Sequence, residues 1–274
     1  MKKLLILSLV LLAVAGCNRN KYPKNSVLIS TKYGDMVVKL YDETPKHRDN
    51  FLKLVKEKYY DGTLFHRVIH EFMIQGGDPD SRKASQGQVL GEGGPGYDIP
   101  AEFNPALIHK KGVIAAAREG DEVNPQKASS GSQFYIVQGK AYTDPELTQL
   151  EEKINQRNLM KFFDQFLQKP ENAAYRAKLT EYRTKNDSIS YMKLVNELQP
   201  MVESEFAKTK PFKFTDQQRK VYTTVGGTPF LDGNYTVFGE VIKGLEVLDK
   251  IAAVKTDDNN RPTEDIKMTV TILK

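Results

Sequence analysis

Glycine is absent from one long stretch of the chain, Ala141 to Val225, although nineteen glycines occur elsewhere. Glutamate, lysine, glutamine, leucine and alanine, which favour helices, are common in this stretch. Outside it, short apolar runs alternate with turns that contain glycine or proline, a pattern typical of a barrel or sandwich. The sequence therefore predicts a mainly β domain, residues 26–140 and 226–274, interrupted by a helical insertion, residues 141–225.

Helix signals divide the insertion into segments. Thr143-Asp144-Pro145-Glu146 has the form of a helix start. Pro170 interrupts the apolar pattern, and Pro200 is expected to bend or stop a later helix. The predicted helices run from Thr143 to Pro170, from Pro170 to Thr184, from Ile189 to Phe206 and from Thr215 to Tyr222.

The β domain opens with a predicted hairpin. Val27–Ile29 and Met36–Tyr41 are short apolar runs joined by a turn that contains glycine. A helix is predicted to follow, with Thr44 as its N-cap and Asp61-Gly62 at its end. A second helix is predicted either near the point where the insertion enters or in Gly244–Ala252, where leucine and isoleucine have helical spacing.

The first 17 residues have the form of an export signal. Two lysines precede an apolar run that is too short to span a bilayer, and small residues then lead to Cys17. Cys17 is the only cysteine, so it has no partner for an internal disulfide. The segment resembles the bacterial lipobox, which implies acylation of Cys17, with residues 18–25 as a tether; an ordinary signal that happens to end at a cysteine is the alternative. No acidic run follows Cys17, which favours a periplasm-facing lipid anchor in the cell envelope.

Net charge gives no reason to expect a polyanionic partner. The chain carries +5, and loss of the two lysines of the signal leaves about +3. The lysines are dispersed, and no basic stripe alternates with aromatic residues. The sequence therefore predicts a solvated surface and no nucleic-acid partner.

Arg67 lies inside an apolar run, between Phe65 and Ile74. Its guanidinium stays charged and presents donors in a fixed plane, which suits a polar task beside an apolar pocket. An exposed arginine on a half-buried strand is the alternative. A metal site at His66 and His70 is not expected, because their spacing suits a helix and this segment is predicted to be a strand. We expect His47 and His109 to be surface or cap residues.

Five motifs follow one another along the chain: Phe65–Asp78, Gly91–Tyr97, Gly112–Arg118, Ser132–Ile136 and Phe230–Val241. In sequence and order they resemble the cyclophilin family of peptidyl-prolyl isomerases. The resemblance covers about residues 26–140 and 226–274. It implies a closed eight-stranded antiparallel barrel capped by two helices, an isomerase acting on proline-containing polypeptides, and no cofactor or metal.

The resemblance also implies a site. Arg67 would be the catalytic residue, with Gln75 and Gln133 orienting it or the substrate backbone. The substrate-binding residues implied are Phe72, Met73, Gly91, Ala117, Arg118, Tyr135, Phe230, Leu231 and Tyr235. Tyr235, Phe230 and Arg118 stand where many members have histidine, tryptophan and asparagine, so cyclosporin binding does not follow from the resemblance.

Two functions are compatible with the sequence. The first is a monomeric, membrane-tethered isomerase that acts on unfolded or exported proteins. The second is an envelope chaperone or scaffold whose insertion binds partners while the barrel has little turnover. Removal of residues 141–225 is expected to preserve activity on small peptides and to lower it on an unfolded protein.

Overall fold

The computed structural model describes residues 21–85 and 87–274. The predicted signal sequence and the lipidation site at Cys17 lie outside these residues, as does the first part of the tether. None of the helices in the described part of the chain is both long enough and apolar enough to cross a membrane.

Eight strands form one antiparallel sheet, and two short strands form a second. The strands are β1 (Ser26–Thr31), β2 (Gly34–Leu40), β3 (Phe65–Ile69), β4 (Met73–Gly76), β5 (Asp98–Ile99), β6 (Val113–Ala116), β7 (Ser129–Ser130), β8 (Phe134–Val137), β9 (Val237–Lys243) and β10 (Met268–Ile272). The large sheet has the order β10-β1-β2-β9-β6-β8-β4-β3, and β5 pairs with β7. The predicted hairpin is confirmed as β1 and β2, paired from Ser26 with Lys39 to Thr31 with Gly34.

The two ends of the large sheet meet and close the barrel. The N–H of Phe65 donates to the carbonyl of Ile266 at 2.9 Å, and the N–H of Met268 donates to the carbonyl of Thr63 at 2.9 Å. These bonds join the start of β3 to the start of β10. An antiparallel bridge between Leu64 and Lys267 lies between these two bonds, and the predicted closed, eight-stranded antiparallel barrel is therefore confirmed.

Two helices cap the barrel, as predicted. These are α1 (Pro45–Lys56) and α6 (Leu245–Ala252), and the other four helices are α2 (Asp144–Gln168), α3 (Ala173–Thr184), α4 (Ser188–Phe206) and α5 (Asp216–Thr224). Phe51 and Leu54 of α1 and Leu248 and Ile251 of α6 are buried in the same core as the inward-facing strand residues. The apolar faces that the sequence assigned to these helices thus cover the barrel.

The ends of α1 differ from the prediction. Thr44 makes no capping bond with its side chain. The Glu102 carboxylate instead accepts hydrogen bonds from the main-chain N–H groups of Lys46 and His47, at 3.1 and 3.0 Å. The helix ends at Lys56 rather than at Asp61-Gly62, because the chain leaves the helical conformation at Lys58, whose φ is +56°.

His47 is buried, so of the two alternatives predicted for it, a surface residue or a cap residue, the first is wrong. Its ring Nδ1 lies 2.7 Å from Oε2 of Glu102. Burial lowers the pKa of His47, and the Glu102 carboxylate opposes that shift. The contact joins residues that are 55 positions apart in the chain, which no local pattern could reveal.

The segment predicted as the insertion contains α2 to α5 and divides into two apolar clusters. The base cluster consists of Leu147, Phe214 and Tyr222, with Ile108 of the β domain packed against it. The tip cluster lies between the second half of α2, α3 and α4, and consists of Phe166, Leu179, Leu194, Leu198 and Val202. Pro200 does not stop α4, which runs on to Phe206.

Candidate active site

Strand register brings three predicted site residues side by side. Arg67 on β3 pairs with Gln75 on β4, and Gln75 pairs with Tyr135 on β8. Side chains alternate between the two faces of a strand, so these three project to one face. Ile74 and Ile136 belong to the barrel core, whereas Met73 and Tyr135 belong to a separate apolar cluster. The site therefore lies on the outer face of the barrel.

A cavity of about 120 Å³ opens between these strands and the segment that contains Leu231. Six of its nine lining residues are apolar or aromatic, and the other three are two arginines and one glutamine, a composition typical of a small binding pocket. The cavity is lined by Arg67, Phe72, Met73, Gln75, Ala117, Arg118, Tyr135, Leu231 and Tyr235. The structure thus brings together nine of the residues that the resemblance implied.

The remaining three predicted residues lie beside this cavity. Gln133 and Gly91 line a larger cavity of about 890 Å³, which shares Gln75, Ala117 and Arg118 with the smaller one. Phe230 is outside both linings, and its ring lies 5.7 Å from that of Phe72. The partly exposed Phe230 ring therefore extends the apolar wall outward.

A chain of hydrogen bonds holds the Arg67 guanidinium. Nη1 of Arg67 donates to Oε1 of Gln75 at 3.2 Å, and Nε2 of Gln75 donates to Oε1 of Gln133 at 3.1 Å. Nε2 of Gln133 donates in turn to the carbonyl oxygens of Gly91 and Gly93, at 2.7 and 2.8 Å. Each amide is satisfied on both sides, so the position of Arg67 is set by the backbone of the Gly91 loop.

Arg67 makes no ion pair within the described residues. Burial lowers the pKa of Arg67, with a smaller opposing effect from Tyr235, but an arginine starts so high that it remains protonated. A positive charge that no carboxylate neutralises is therefore directed at the cavity.

The side chain of Arg118 is fixed at the rim. Its Nε donates to the carbonyl of Asn234 at 2.8 Å, and its Nη2 lies 2.8 Å from a carboxylate oxygen of Asp121. Its guanidinium stacks 4.6 Å from the centre of the Tyr235 ring, a favourable cation–π contact. Arg118 thereby steadies Tyr235, which forms one wall of the smaller cavity.

Gly91 packs over a buried histidine. Its φ of +113° favours glycine, and a Cβ at this position would lie 3.6 Å from Nε2 of His66. The N–H of Gly91 donates to Oδ2 of Asp78 at 2.6 Å. His66 is 3% exposed, and neither ring nitrogen has a hydrogen-bond partner among the described residues. The loop that holds Gln133 therefore rests on an imidazole that burial keeps neutral.

His66 is expected to make the fold sensitive to acid. Burial lowers the pKa of His66 to about 4, whereas the unfolded chain has a value of about 6.5. The folded state therefore binds fewer protons, so its stability is complete above about pH 6.5 and is lost as the pH falls from there towards 4. Between pH 7.5 and pH 4.5, the free energy of unfolding of the wild type should fall by about 2 kcal/mol more than that of His66→Phe.

Urea unfolding at the two pH values measures this difference. His70→Phe is the matched control, because His70 is an exposed histidine on the same segment. Equal acid sensitivity of His66→Phe and the wild type would show that another group is responsible.

Three further residues, His109, Asp232 and Tyr222, form a hydrogen-bonded set that ends at Tyr135. His109 is fully buried, so its prediction as a surface or cap residue is also wrong. Its Nε2 lies 3.1 Å from the Tyr135 hydroxyl, and its Nδ1 lies 2.9 Å from Oδ1 of Asp232. The Tyr222 hydroxyl donates to Oδ2 of Asp232 at 2.6 Å. No motif in the sequence indicates that Tyr222 and His109 are connected to Tyr135, so this set could not be predicted.

The fold and the site together define a class of protein: a closed β barrel that presents a small apolar pocket and a fixed guanidinium on its outer face. The sequence matches the family model described as "Cyclophilin type peptidyl-prolyl cis-trans isomerase/CLD" over residues 26–156 and 206–272. The chain therefore belongs to the cyclophilin family and is a cyclophilin-type peptidyl-prolyl cis-trans isomerase. The match extends into α2 and resumes before α5, so residues 157–205 lie outside it.

Bacterial relatives cover most of this chain. A protein of Staphylococcus saprophyticus described as "Putative peptidyl-prolyl cis-trans isomerase" is 30% identical over 88% of this chain and 87% of its own length. A "Putative bifunctional phosphatase/peptidyl-prolyl cis-trans isomerase" of Streptococcus pyogenes is 31% identical over 88% of this chain. The similarity covers 37% of that longer protein.

A solved structure supports the fold. The cyclophilin-type peptidyl-prolyl cis-trans isomerase of Cryptosporidium parvum superposes with a TM-score of 0.53 at 22% identity, over 91% of this chain and 97% of the other. At this identity the similarity supports the barrel architecture alone.

Proposed function

We propose that this isomerase accelerates X-Pro rotation by transition-state stabilisation from Arg67. Rotation breaks amide conjugation, with a barrier of about 18–20 kcal/mol. In the twisted state the proline nitrogen regains its lone pair, and a guanidinium N–H can donate to it. That bond exists in the transition state and not in the planar amide, so it lowers the barrier.

The Arg67 geometry carries this proposal. The guanidinium lies at the wall of the smaller cavity, is held by Gln75 and Gln133, and is free of any carboxylate in the described residues. The apolar walls formed by Phe72, Met73 and Leu231 suit a proline ring. The larger adjoining cavity accommodates the residues that flank the proline. The substrates are unfolded or exported polypeptides, and the chain acts as a monomer.

Turnover of a tetrapeptide with a single X-Pro bond tests the proposal. We expect the purified full-length chain, kept in mild detergent, to accelerate isomerisation with a nearly constant kcat between about pH 6 and 9. Arg67 stays charged over this range, and the His66 pKa of about 4 lies below it. A steep bell-shaped profile would require a titrating acid or base and would contradict the proposal.

The same proposal includes a lipid anchor on Cys17 that holds the isomerase in the cell envelope, facing the periplasm. The small residues before the only cysteine support it. We expect Cys17→Ser to move the protein from the membrane fraction to the soluble fraction and to abolish incorporation of labelled fatty acid. The wild type is the control, and retention of label by Cys17→Ser would contradict acylation at this residue.

A second candidate function is binding of unfolded chains by the tip of the insertion. Large apolar side chains are exposed there, with Met160 at 72% and Ile189 at 83% exposure. Met192 and Met201 are also exposed, and flexible methionine side chains adapt to varied partners. A tethered chaperone or scaffold would use this surface independently of the barrel.

A further inference from the structure

We propose that Tyr222, Asp232 and His109 are positioning residues through which the last helix of the insertion sets the width of the substrate pocket. The inference rests on the proposed function of that pocket. It assigns to α5 a role in substrate binding, although α5 lies behind the pocket and contributes no residue to its lining.

Asp232 is the centre of the arrangement. Oδ1 accepts the main-chain N–H of His109 at 2.8 Å and lies 2.9 Å from the Nδ1 of the same residue. Oδ2 accepts the Tyr222 hydroxyl at 2.6 Å. Donation from Nδ1 leaves Nε2 of His109 as an acceptor for the Tyr135 hydroxyl at 3.1 Å. An unbroken chain of hydrogen bonds thus runs from α5 to a pocket wall.

Two walls of the pocket are held by this one carboxylate. Asp232 bonds to His109, and His109 bonds to the Tyr135 hydroxyl. Leu231 directly precedes Asp232 in the chain. Both residues line the cavity. Because Asp232 connects the Leu231 segment to the histidine behind β8, a shift of the carboxylate changes the distance between these walls.

Burial makes these bonds effective. His109 and Tyr222 are fully buried, and Tyr135 is nearly so. The Asp232 side chain is 14% exposed, so water reaches only the carboxylate, and loss of one hydrogen bond shifts the fully buried groups that remain. The aromatic rings pack tightly as well, with His109 stacked 6.2 Å from Tyr135 and Tyr235 edge-on to Tyr135 at 5.9 Å.

Tyr222→Phe tests the proposal, because it removes one hydroxyl and keeps the ring in the base cluster. A looser pocket weakens substrate binding in the ground state and the transition state alike, so KM rises while kcat is kept. We expect a rise of about fivefold to tenfold in both the KM and the Kd of the same prolyl tetrapeptide, with kcat within about twofold of wild type. Urea unfolding of each variant measures any loss of stability separately.

Tyr142→Phe is the matched control. Tyr142 packs in the base cluster, and its hydroxyl makes no hydrogen bond within the described residues, so KM and Kd should stay at the wild-type values. Tyr135→Phe, at the other end of the chain, should raise KM as Tyr222→Phe does. The double variant should be no worse than Tyr135→Phe alone, because both changes break the same connection.

Wild-type KM and Kd in Tyr222→Phe would overturn the proposal, as would independent effects that multiply in the double variant. A wild-type protein that binds the peptide without turnover would overturn the proposed function instead. In that case the Kd values of the wild type and the variants for the tetrapeptide would by themselves test the positioning role.

Discussion

Replacement of Arg67 by alanine is expected to lower kcat by about 100-fold to 1000-fold, the usual effect of removing one preorganised donor from a transition state. The fixed guanidinium bonds the proline nitrogen only when the amide is twisted, so KM should change little. The apolar walls of the pocket remain in place and continue to bind the proline ring. Progress curves with a prolyl tetrapeptide, measured over a range of substrate concentrations, give both constants.

Two further variants separate charge from geometry. Arg67→Lys keeps the positive charge but loses the planar fork that Gln75 holds at 3.2 Å, so it should recover only part of the lost turnover. Arg183→Ala removes an exposed arginine from α3 and should leave both constants unchanged. An Arg67→Ala protein with wild-type kcat would show that the proposed mechanism is wrong.

Two deletions within the insertion are expected to have opposite effects on the fold. Removal of residues 141–225 eliminates Leu147, Phe214 and Tyr222, which are buried against one another and against Ile108. Their removal exposes Ile108 and leaves the Asp232 carboxylate without Tyr222, and each such loss costs about 1–3 kcal/mol out of the total of about 5–15 kcal/mol of an ordinary domain. This deletion should therefore destabilise the barrel and lower turnover on small peptides, contrary to the expectation from sequence alone.

Removal of residues 157–205 should instead leave the barrel folded. The tip cluster has its own apolar contacts, and the base cluster stays intact. Asn155 and Phe212, which flank the two cut ends, are joined by hydrogen bonds of 3.0 and 2.8 Å, so a short Gly/Ser bridge can rejoin the chain. Urea unfolding and tetrapeptide turnover of the two variants test this comparison. Equal stability of the two would contradict the division into base and tip.

The shorter deletion also tests whether the tip binds unfolded chains. Binding of unfolded chains by the tip predicts wild-type turnover on the tetrapeptide and slower refolding of a protein limited by proline isomerisation. Wild-type rates on both substrates would mean that the tip has no part in catalysed folding.

Much of the architecture could be predicted from local patterns. Strand periodicity and glycine-containing turns indicated the β domain, and capping sequences placed the starts of α2 and α5 at Thr143 and Thr215. Both capping boxes are formed in the structure. Prediction failed where a distant residue replaced a local one, as when Glu102 took the role of cap expected from Thr44. A local pattern contains no information about such a partner.

The sequence by itself determined the alternation of strands, the helical character of the insertion and the arginine within an apolar strand, because these depend on residues close together in the chain. Only the tertiary structure decided that His109 lies behind the pocket, bonded to Asp232 at a separation of 123 residues. It also decided that Tyr222 lies in the base cluster, which packs against Ile108 of the β domain. Barrel closure and strand register bring these groups together, and the cost of burying polar groups requires that they bond to one another.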